Sequence, residues 1–562
     1  MTTIRTNLVN IAEKRIYPVE ILIENGKIAA LKPLEKEARV AHFALSGFID
    51  AHVHIESSML VPSSFAPLAL AQGTVATVSD PHEIANVLGI KGVLFMIENA
   101  KQTPLKFYFG APSCVPATPF ETAGATLGVE EVAQLLALPE VLYLAEMMNF
   151  PAVIARQPEV MAKIEQAHRL GKPVDGHAPA LRGADLKKYI EAGIYTDHEA
   201  FTEEEAAEKL ALGMKILIRE GSAAKNFEAL IGLLDAHYPN MMFCSDDKHP
   251  DDLALGHINQ LVSRAVKKGL DLFKVLQVAC LNPIAHYGLS VGGLEVGKAA
   301  DFIIVEDLEN FEVLQTYIEG NLVYDKAQKE TFLNAKPLEK EVVSQLNSFK
   351  ARKRKAEDFA FPIPKWVRRL QVIEVLDGEL ITRSLVYKMK KIRQMTGLKN
   401  GDNFEAILFE DILKIVVLNR YVEDAPIAIG YVKNFGLKKG AIASTVAHDS
   451  HNLIAVGTSD ESLAEVINLL IETQGGIAAV SPFEKPQVLP LPIAGLMSDK
   501  DGLSVAQAYT QIDTYAKNLC HPPLRAPFMT LSFMALLVIP YLKMSDKGLF
   551  DGQKFDFTKV FQ

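Results

Sequence analysis

The sequence predicts an α/β protein: a (β/α)8 barrel of the TIM type, a small β-sandwich domain built from both flanks of that barrel, and a C-terminal α/β domain. Three observations carry this reading. Between residues 46 and 290, eight short apolar runs alternate with helix-like stretches. Hairpin signatures occur on either side of that region, and new apolar runs begin near residue 361. At 562 residues the chain has room for roughly three or four domains.

Residues 15–31, RIYPVEILIENGKIAAL, alternate apolar and polar positions around Asn25-Gly26, a strong hairpin signal. GGLEVGKAADFIIV (292–305) and EVLQTYIEGNLVY (312–324) repeat the pattern, the second turning at Gly320-Asn321. Segments 1–45 and 291–335 are therefore expected to pair into one small β domain. The chain between them, 46–290, forms a separate unit. Its runs are LSGFIDAHVH, GTVATVSDPHE, LKFYFGAPSCVP, VLYLAEMMN, KPVDGHAP, IYTDHEA, MKILIREGS and MMFCSDDKHP. Amphipathic PEVMAKIEQAHRLG (158–171) and GADLKKYIEAG (183–193) fall between them. Repeated strand–helix units imply parallel strands, and eight of them suggest a closed barrel. Residues 336–360 hold the run KARKRKAED and read as a solvated linker. From 361 to 562, AILFEDILKIVVLN, GAIASTVAHDSHNLIAVG and GGIAAVSP alternate with helical stretches such as DESLAEVINLLIETQ, as in an α/β domain with mixed strands.

The formal net charge is −10, which argues against nucleic acid as a partner, because binding phosphates needs a basic surface. Cys114, Cys244, Cys280 and Cys520 are too widely spaced for a disulfide framework or a metal clip and read as free thiols of a reducing cytosol. The N-terminal MTTIRTNLVNIAEKRIYPVE has no continuous apolar core, so no secretory signal is expected. APFMTLSFMALLVIPYL (526–542) is strongly apolar but contains Pro527 and Pro540, and it falls short of the ~20 residues of a membrane span. It reads as core of the last domain, and the protein as cytoplasmic with no membrane partner.

In a barrel of this kind, chemistry gathers where strands run out at their C-terminal ends. The first run ends in His52 and His54, and the second in Asp80, His82 and Glu83. The fourth ends in Glu146, the fifth in His177, the sixth in His198, and the eighth in Asp246 and Asp247. Each alone is weak evidence, but together they would converge on one point. His52 and His54 project to the same side because side chains on a strand alternate. Imidazole nitrogen with carboxylate oxygen suits divalent transition metals such as zinc, iron or manganese. His54-Ile55-Glu56 formally matches half of the zinc nucleobase-deaminase signature. The required PCxxC element is missing, so Glu56 is no evidence for that fold.

GFIDAHVHIE, the single histidines after the fifth and sixth runs and the aspartate after the eighth resemble the amidohydrolase superfamily of metal-dependent hydrolases. IDAHVHIESSM, VSDPHEIANVLG, EMMNFPAV, DGHAP, TDHE, REGSAA and SDDKHPDDL, in this order, resemble the bacterial adenine deaminases over essentially the whole chain. The resemblance implies two divalent transition metal ions, with manganese or iron favoured and zinc possible. His52, His54 and Asp246 would bind the more buried ion, and His177 and His198 the second. Glu146 would bridge them where many superfamily members use a carbamylated lysine. Asp246 rather than Asp247 is expected to be the ligand, leaving Asp247 toward substrate.

The implied reaction is hydrolytic deamination of adenine to hypoxanthine and ammonia, with hydroxide attacking purine C6. Asp246 would transfer protons, and a carboxyl would protonate ring nitrogen N1. Glu83 and Glu220 are both candidates for that role, and Glu56 is not excluded. Asp80 and His82 could hold substrate or an additional metal, Arg219 and Ser222 could bond the purine edge, and His249 could face substrate. The alternative activity is hydrolysis of a cyclic amide or imide, and a barrel that binds without catalysis is a third reading. His448 and His451 read as a structural or surface pair, unless the last domain covers the barrel mouth or builds a subunit interface. A homodimer or higher homo-oligomer is expected.

Overall fold

The computed structural model describes residues 1–35, 40–333 and 338–562. Seven strands from both flanks form one hydrogen-bonded sheet: Thr2–Asn10, Arg15–Glu24, Lys27–Pro33, Phe43–Ser46, Phe302–Val305, Val313–Ile318 and Asn321–Asp325. The return strand Phe302–Val305 pairs antiparallel with Phe43–Ser46, which joins the two flanks. Instead of two separate sheets, a single sheet curls on itself. The Ala300 N–H donates to Gly26 O at 2.9 Å, bringing the Asn25-Gly26 turn beside the start of the return strand. Gly26 has φ 76°, and a side chain there would meet the Glu319 carbonyl at 3.0 Å, so the two hairpin tips need this glycine. Leu8, Ile21, Ile28, Phe302 and Tyr317 fill the inside of the curl. Their neighbours Val9, Leu45 and Ile303 point the other way, into the core shared with the barrel.

The barrel strands are β1 (Phe48–Val53), β2 (Thr74–Ser79), β3 (Lys106–Ala111), β4 (Val141–Met147), β5 (Val174–Gly176), β6 (Thr196–Asp197), β7 (Lys215–Arg219) and β8 (Met241–Cys244). All paired neighbours are parallel. Every residue of β1 and β2 is buried, as expected for strands covered on both faces. Val174 bridges to Ile194 across the β5–β6 seam, and Val53 bridges to Asp246, which closes the ring. The outer helices follow their sequence pattern. Pro158–Arg169 starts with proline in its first turn and buries Val160, Ile164 and Ala167 along one stripe.

The C-terminal domain is an eight-stranded mixed sheet, flanked by helices Asp460–Glu472 and Gly502–Leu519. Residues 350–359 are tied to this sheet: Lys350 N–H donates to Arg420 O, and Phe359 is fully buried against Val416 and Leu418. Between them, Arg354 is half-buried and donates from Nη2 to Ala425 O at 2.9 Å, while Arg352, Lys353, Lys355, Glu357 and Asp358 stay on the surface. The apolar 526–542 segment forms the short helix Pro527–Phe533 and a buried turn. Among the described residues, no helix is long and apolar enough to cross a membrane. Strands Ala441–Ser444 and Leu453–Gly457 pair antiparallel, and the hairpin tip between them carries AHDSHN into the barrel mouth.

Candidate active site and metal centre

The ends of β1 and β8 are locked together by the closure of the barrel. The Asp246 N–H donates to His52 O at 2.9 Å, and the His54 N–H donates to Asp246 O at 3.4 Å. Beneath them, Asp50 accepts from the Ser245 N–H at 2.9 Å and from Ser245 Oγ at 2.5 Å. His257 Nε2 lies 2.7 Å from the same carboxylate. This fixed frame aims the Nε2 atoms of His52 and His54 at one point, 3.2 Å apart. Asp246 Oδ1 sits 3.4 Å from the first and 3.1 Å from the second.

Glu146, at the end of β4, meets both halves of the centre. Its Oε1 is 3.3 Å from His54 Nε2, while Oε2 is 2.7 Å from His177 Nδ1 and 3.2 Å from His198 Nε2. β5 and β6 are short, and side chains replace ladder bonds between them. The Gly176 N–H donates to Thr196 Oγ1 at 3.0 Å, and the Ala178 N–H donates to Asp197 Oδ1 at 2.9 Å. Buried Lys209 holds the other Asp197 oxygen at 2.9 Å. His177 and His198 are thereby fixed in mutual register.

All six groups are buried. Burial pushes the Glu146 carboxyl up, but the His177, His198 and His54 imidazoles outweigh it and hold it well below the usual range. Burial likewise raises Asp246, and Arg219 with His52 and His54 drives it well below normal. Burial lowers His54, while Asp246 and Glu146 raise it more, and the net shift is well upward. The donor set fits cations. Two imidazole Nε2 atoms face each other beside two carboxylates, and overlapping trios of His, Glu and Asp have ligand atoms within 4.8 Å of one another. Without positive charge between them, these buried carboxylates and lone pairs would be costly.

A cavity opens above this cluster. Its barrel lining includes His54, His82, Glu83, Glu146, His177, His198, Arg219, Asp246 and Asp247. His82 Nδ1 contacts Asp80 Oδ2 at 3.1 Å and lies 3.5 Å from Glu146 Oε1. Asp247 lines the same cavity, and its Oδ1 lies 2.5 Å from Ser57 Oγ. Arg219 is already engaged: Nη1 donates to Glu199 Oε1 and, at 2.6 Å, to Asp246 Oδ2. It braces the centre, and its Nε has no partner among the described residues.

Three expected residues lie elsewhere. Glu220 follows inward-facing Arg219, so strand alternation turns it outward, where Arg264 Nη1 donates to it at 2.6 Å. Ser222 donates to Asp252 at 2.5 Å. His249 packs edge-on against Tyr509, with ring centroids 4.5 Å apart. None of the three lines the cavity. Glu56 lies beneath it, accepting from the Ile84 N–H at 3.2 Å, and burial together with Glu83 pushes its carboxyl up to about 8.

Sequence reasoning missed other lining residues. Glu199 directly follows His198 in TDHE and sits 3.5 Å from its Nε2, so its place beside a metal-type histidine was a usable signal. Leu380, His448, Asp449, Phe533 and Leu536 come from the C-terminal domain. Apart from the polarity of AHDSHN, nothing local marks them.

Residues 43–323 match the Amidohydrolase family, and residues 388–556 match the Adenine deaminase C-terminal domain. The chain is 54% identical to an adenine deaminase of Sulfurovum sp. (strain NBC37-1) over 554 residues, covering 98% of both chains. It is 51% identical to an adenine deaminase of Methanosarcina mazei over 565 residues, covering 99% of this chain and 98% of the relative. An adenine deaminase of Salinibacter ruber is 49% identical over 559 residues, covering 100% and 99%. A barrel-mouth cluster of histidines and carboxylates, a matching domain on each side of residue 350 and identity along the full length lead to one conclusion: the chain belongs to the adenine deaminase family of amidohydrolases.

Proposed function

We propose that this protein hydrolyses adenine to hypoxanthine and ammonia in the cavity at the barrel mouth. The observation that carries the reading is Glu146, whose two oxygens face separate histidine groups under a cavity rich in proton-transfer groups. His52, His54 and Asp246 would hold one divalent cation and His177 and His198 the other, with Glu146 between them. Bound there, the pair supplies hydroxide at neutral pH and charge stabilisation at C6. Manganese or iron is the favoured occupant, and zinc suits the same ligands.

The chain's own groups handle the protons. Asp246 is held by Arg219 at one oxygen and presents the other to the centre, placed to accept the nucleophile's proton and pass it to the departing amine. Glu83 is the carboxylate that serves N1. Burial pushes its pKa up, but His448 and His451 outweigh it and hold it well below the usual carboxylate range. The proton it delivers is therefore one it first takes from the attacking water. Its Oε1 is held by Ser57, and its Oε2 has no partner among the described residues. Glu220, paired with Arg264 outside the cavity, has no part in this scheme.

Metal-free protein reconstituted separately with manganese, ferrous iron or zinc should release ammonia from adenine. Glu146→Gln should lose more than the ~10–100-fold typical of residues that merely support metal ligands. Folded, loaded wild type that leaves adenine untouched would sink the assignment and direct the search to cyclic amides.

A further inference from the structure

The hairpin tip between Ala441–Ser444 and Leu453–Gly457 brings His448 to the catalytic cavity. His448 is buried, and its Nδ1 lies 3.1 Å from Glu83 Oε1. Its ring stacks on Phe533, with centroids 4.9 Å apart and planes 19° apart. The tip is shaped by His451, whose Nδ1 accepts from the Ala447 N–H at 3.2 Å. From the barrel side, Ser57 Oγ lies 2.9 Å from the same Glu83 oxygen and 2.5 Å from Asp247 Oδ1, so its one proton is shared between the two carboxylates. Glu83 Oε1 is thus gripped by two domains, while its buried Oε2 has no partner among the described residues. A carboxylate fixed at one oxygen and open at the other has the geometry of a group that exchanges a proton with a bound ring.

We propose that His448 is the positioning residue for Glu83, so that the C-terminal domain completes an active site the barrel alone leaves unfinished. This rests on Glu83 acting at purine N1. Phe533 sets the plane of the imidazole, and the imidazole sets the orientation of the carboxyl. Asp449, the next residue, lies 3.6 Å from His82 Nε2, so one hairpin meets both polar residues that begin the helix after β2.

The test uses the metal-loaded full chain. His448→Phe keeps a ring on Phe533 and removes the Nδ1 contact, while His448→Asn puts an amide donor near the Nδ1 position. In His448→Phe, kcat should fall about 100-fold, the lower end of acid–base contributions, with KM within about threefold and two equivalents of metal retained. His448→Asn should recover to within about tenfold of wild type. His448→Phe combined with Glu83→Gln should be no slower than Glu83→Gln alone, and His448→Phe should lower the denaturation midpoint only when Glu83 is present.

Wild-type kcat in His448→Phe, equal losses in the Phe and Asn variants, or multiplicative losses in the double variant would each overturn the proposal. So would a third equivalent of metal that disappears with His448, because Glu83, His448 and His451 could themselves hold a cation. Loaded wild type that releases no ammonia from adenine would instead sink the deamination reading, while the midpoints still report whether His448 and Glu83 are coupled.

Discussion

Lys209 and Lys543 are both fully buried, yet they differ in what they touch. Lys209 Nζ meets Asp197 at 2.9 Å and Glu205 at 2.6 Å, and its charge is retained. Lys543 Nζ donates to two carbonyls, Leu380 O at 2.7 Å and Phe533 O at 2.9 Å, behind two residues of the cavity wall. Burial pulls its pKa down to about 7. In the unfolded chain a lysine titrates near ~10.4, so between these values the unfolded state binds more protons. The charged form is therefore penalised in full below pH 7, and the penalty fades as pH rises toward 10. Lys543→Met removes the titration. Its stability relative to wild type should fall across that window by up to ~1.4 kcal/mol per pH unit, read from urea midpoints at pH 6.5, 8 and 9.5. Parallel pH profiles would show that Lys543 is not the titrating group.

The seam between β5 and β6 is the element on which the second half of the centre depends. A Cβ on Gly176 would fall 2.2 Å from the Thr196 carbonyl oxygen, a backbone atom that cannot yield without moving β6. Gly176→Ala should therefore displace His177 relative to His198. The expected result is a folded protein that binds about one equivalent of metal in place of two, measured by elemental analysis after dialysis. Full occupancy would show that the seam tolerates the shift. The eight strand-end motifs were readable here because fully buried parallel strands leave continuous apolar runs. The brevity of β5 and β6 was not, because Thr196 and Asp197 side chains satisfy neighbouring backbone groups that a longer ladder would otherwise pair.

At the scale of the whole molecule, the C-terminal domain grips the loop that follows β3. Phe120 packs among Phe550, Phe555 and Phe557 at centroid distances of 4.9, 5.4 and 5.6 Å. Ser545 Oγ donates to Phe120 O at 2.9 Å, the Thr122 N–H to Asp546 Oδ1 at 3.0 Å, and Asn452 Nδ2 to Thr122 O at 2.8 Å. Phe120→Ala removes the aromatic anchor. Because Phe120 is only half-buried, the cost should be about 1–3 kcal/mol, below the range for a buried Phe. Calorimetry should show the two domains melting less cooperatively, with KM raised more than kcat is lowered. An unchanged single transition would mean the polar contacts hold the domain unaided.

Local pattern is enough to bring His52, His54, Glu146, His177, His198 and Asp246 to one barrel mouth. Strand periodicity and chain order state where each strand ends, and a closed parallel barrel places all those ends together. The same pattern cannot state which way a side chain turns once its strand has ended. Ser222 and His249 leave the cavity because Asp252 and Tyr509 hold them elsewhere, whereas alternation from Arg219 already turns Glu220 outward, to Arg264. Nor can it reveal that His448 and Asp449 enter the cavity from a separate sheet. That contact joins residues far apart in the chain through packing between domains, and no local periodicity records it.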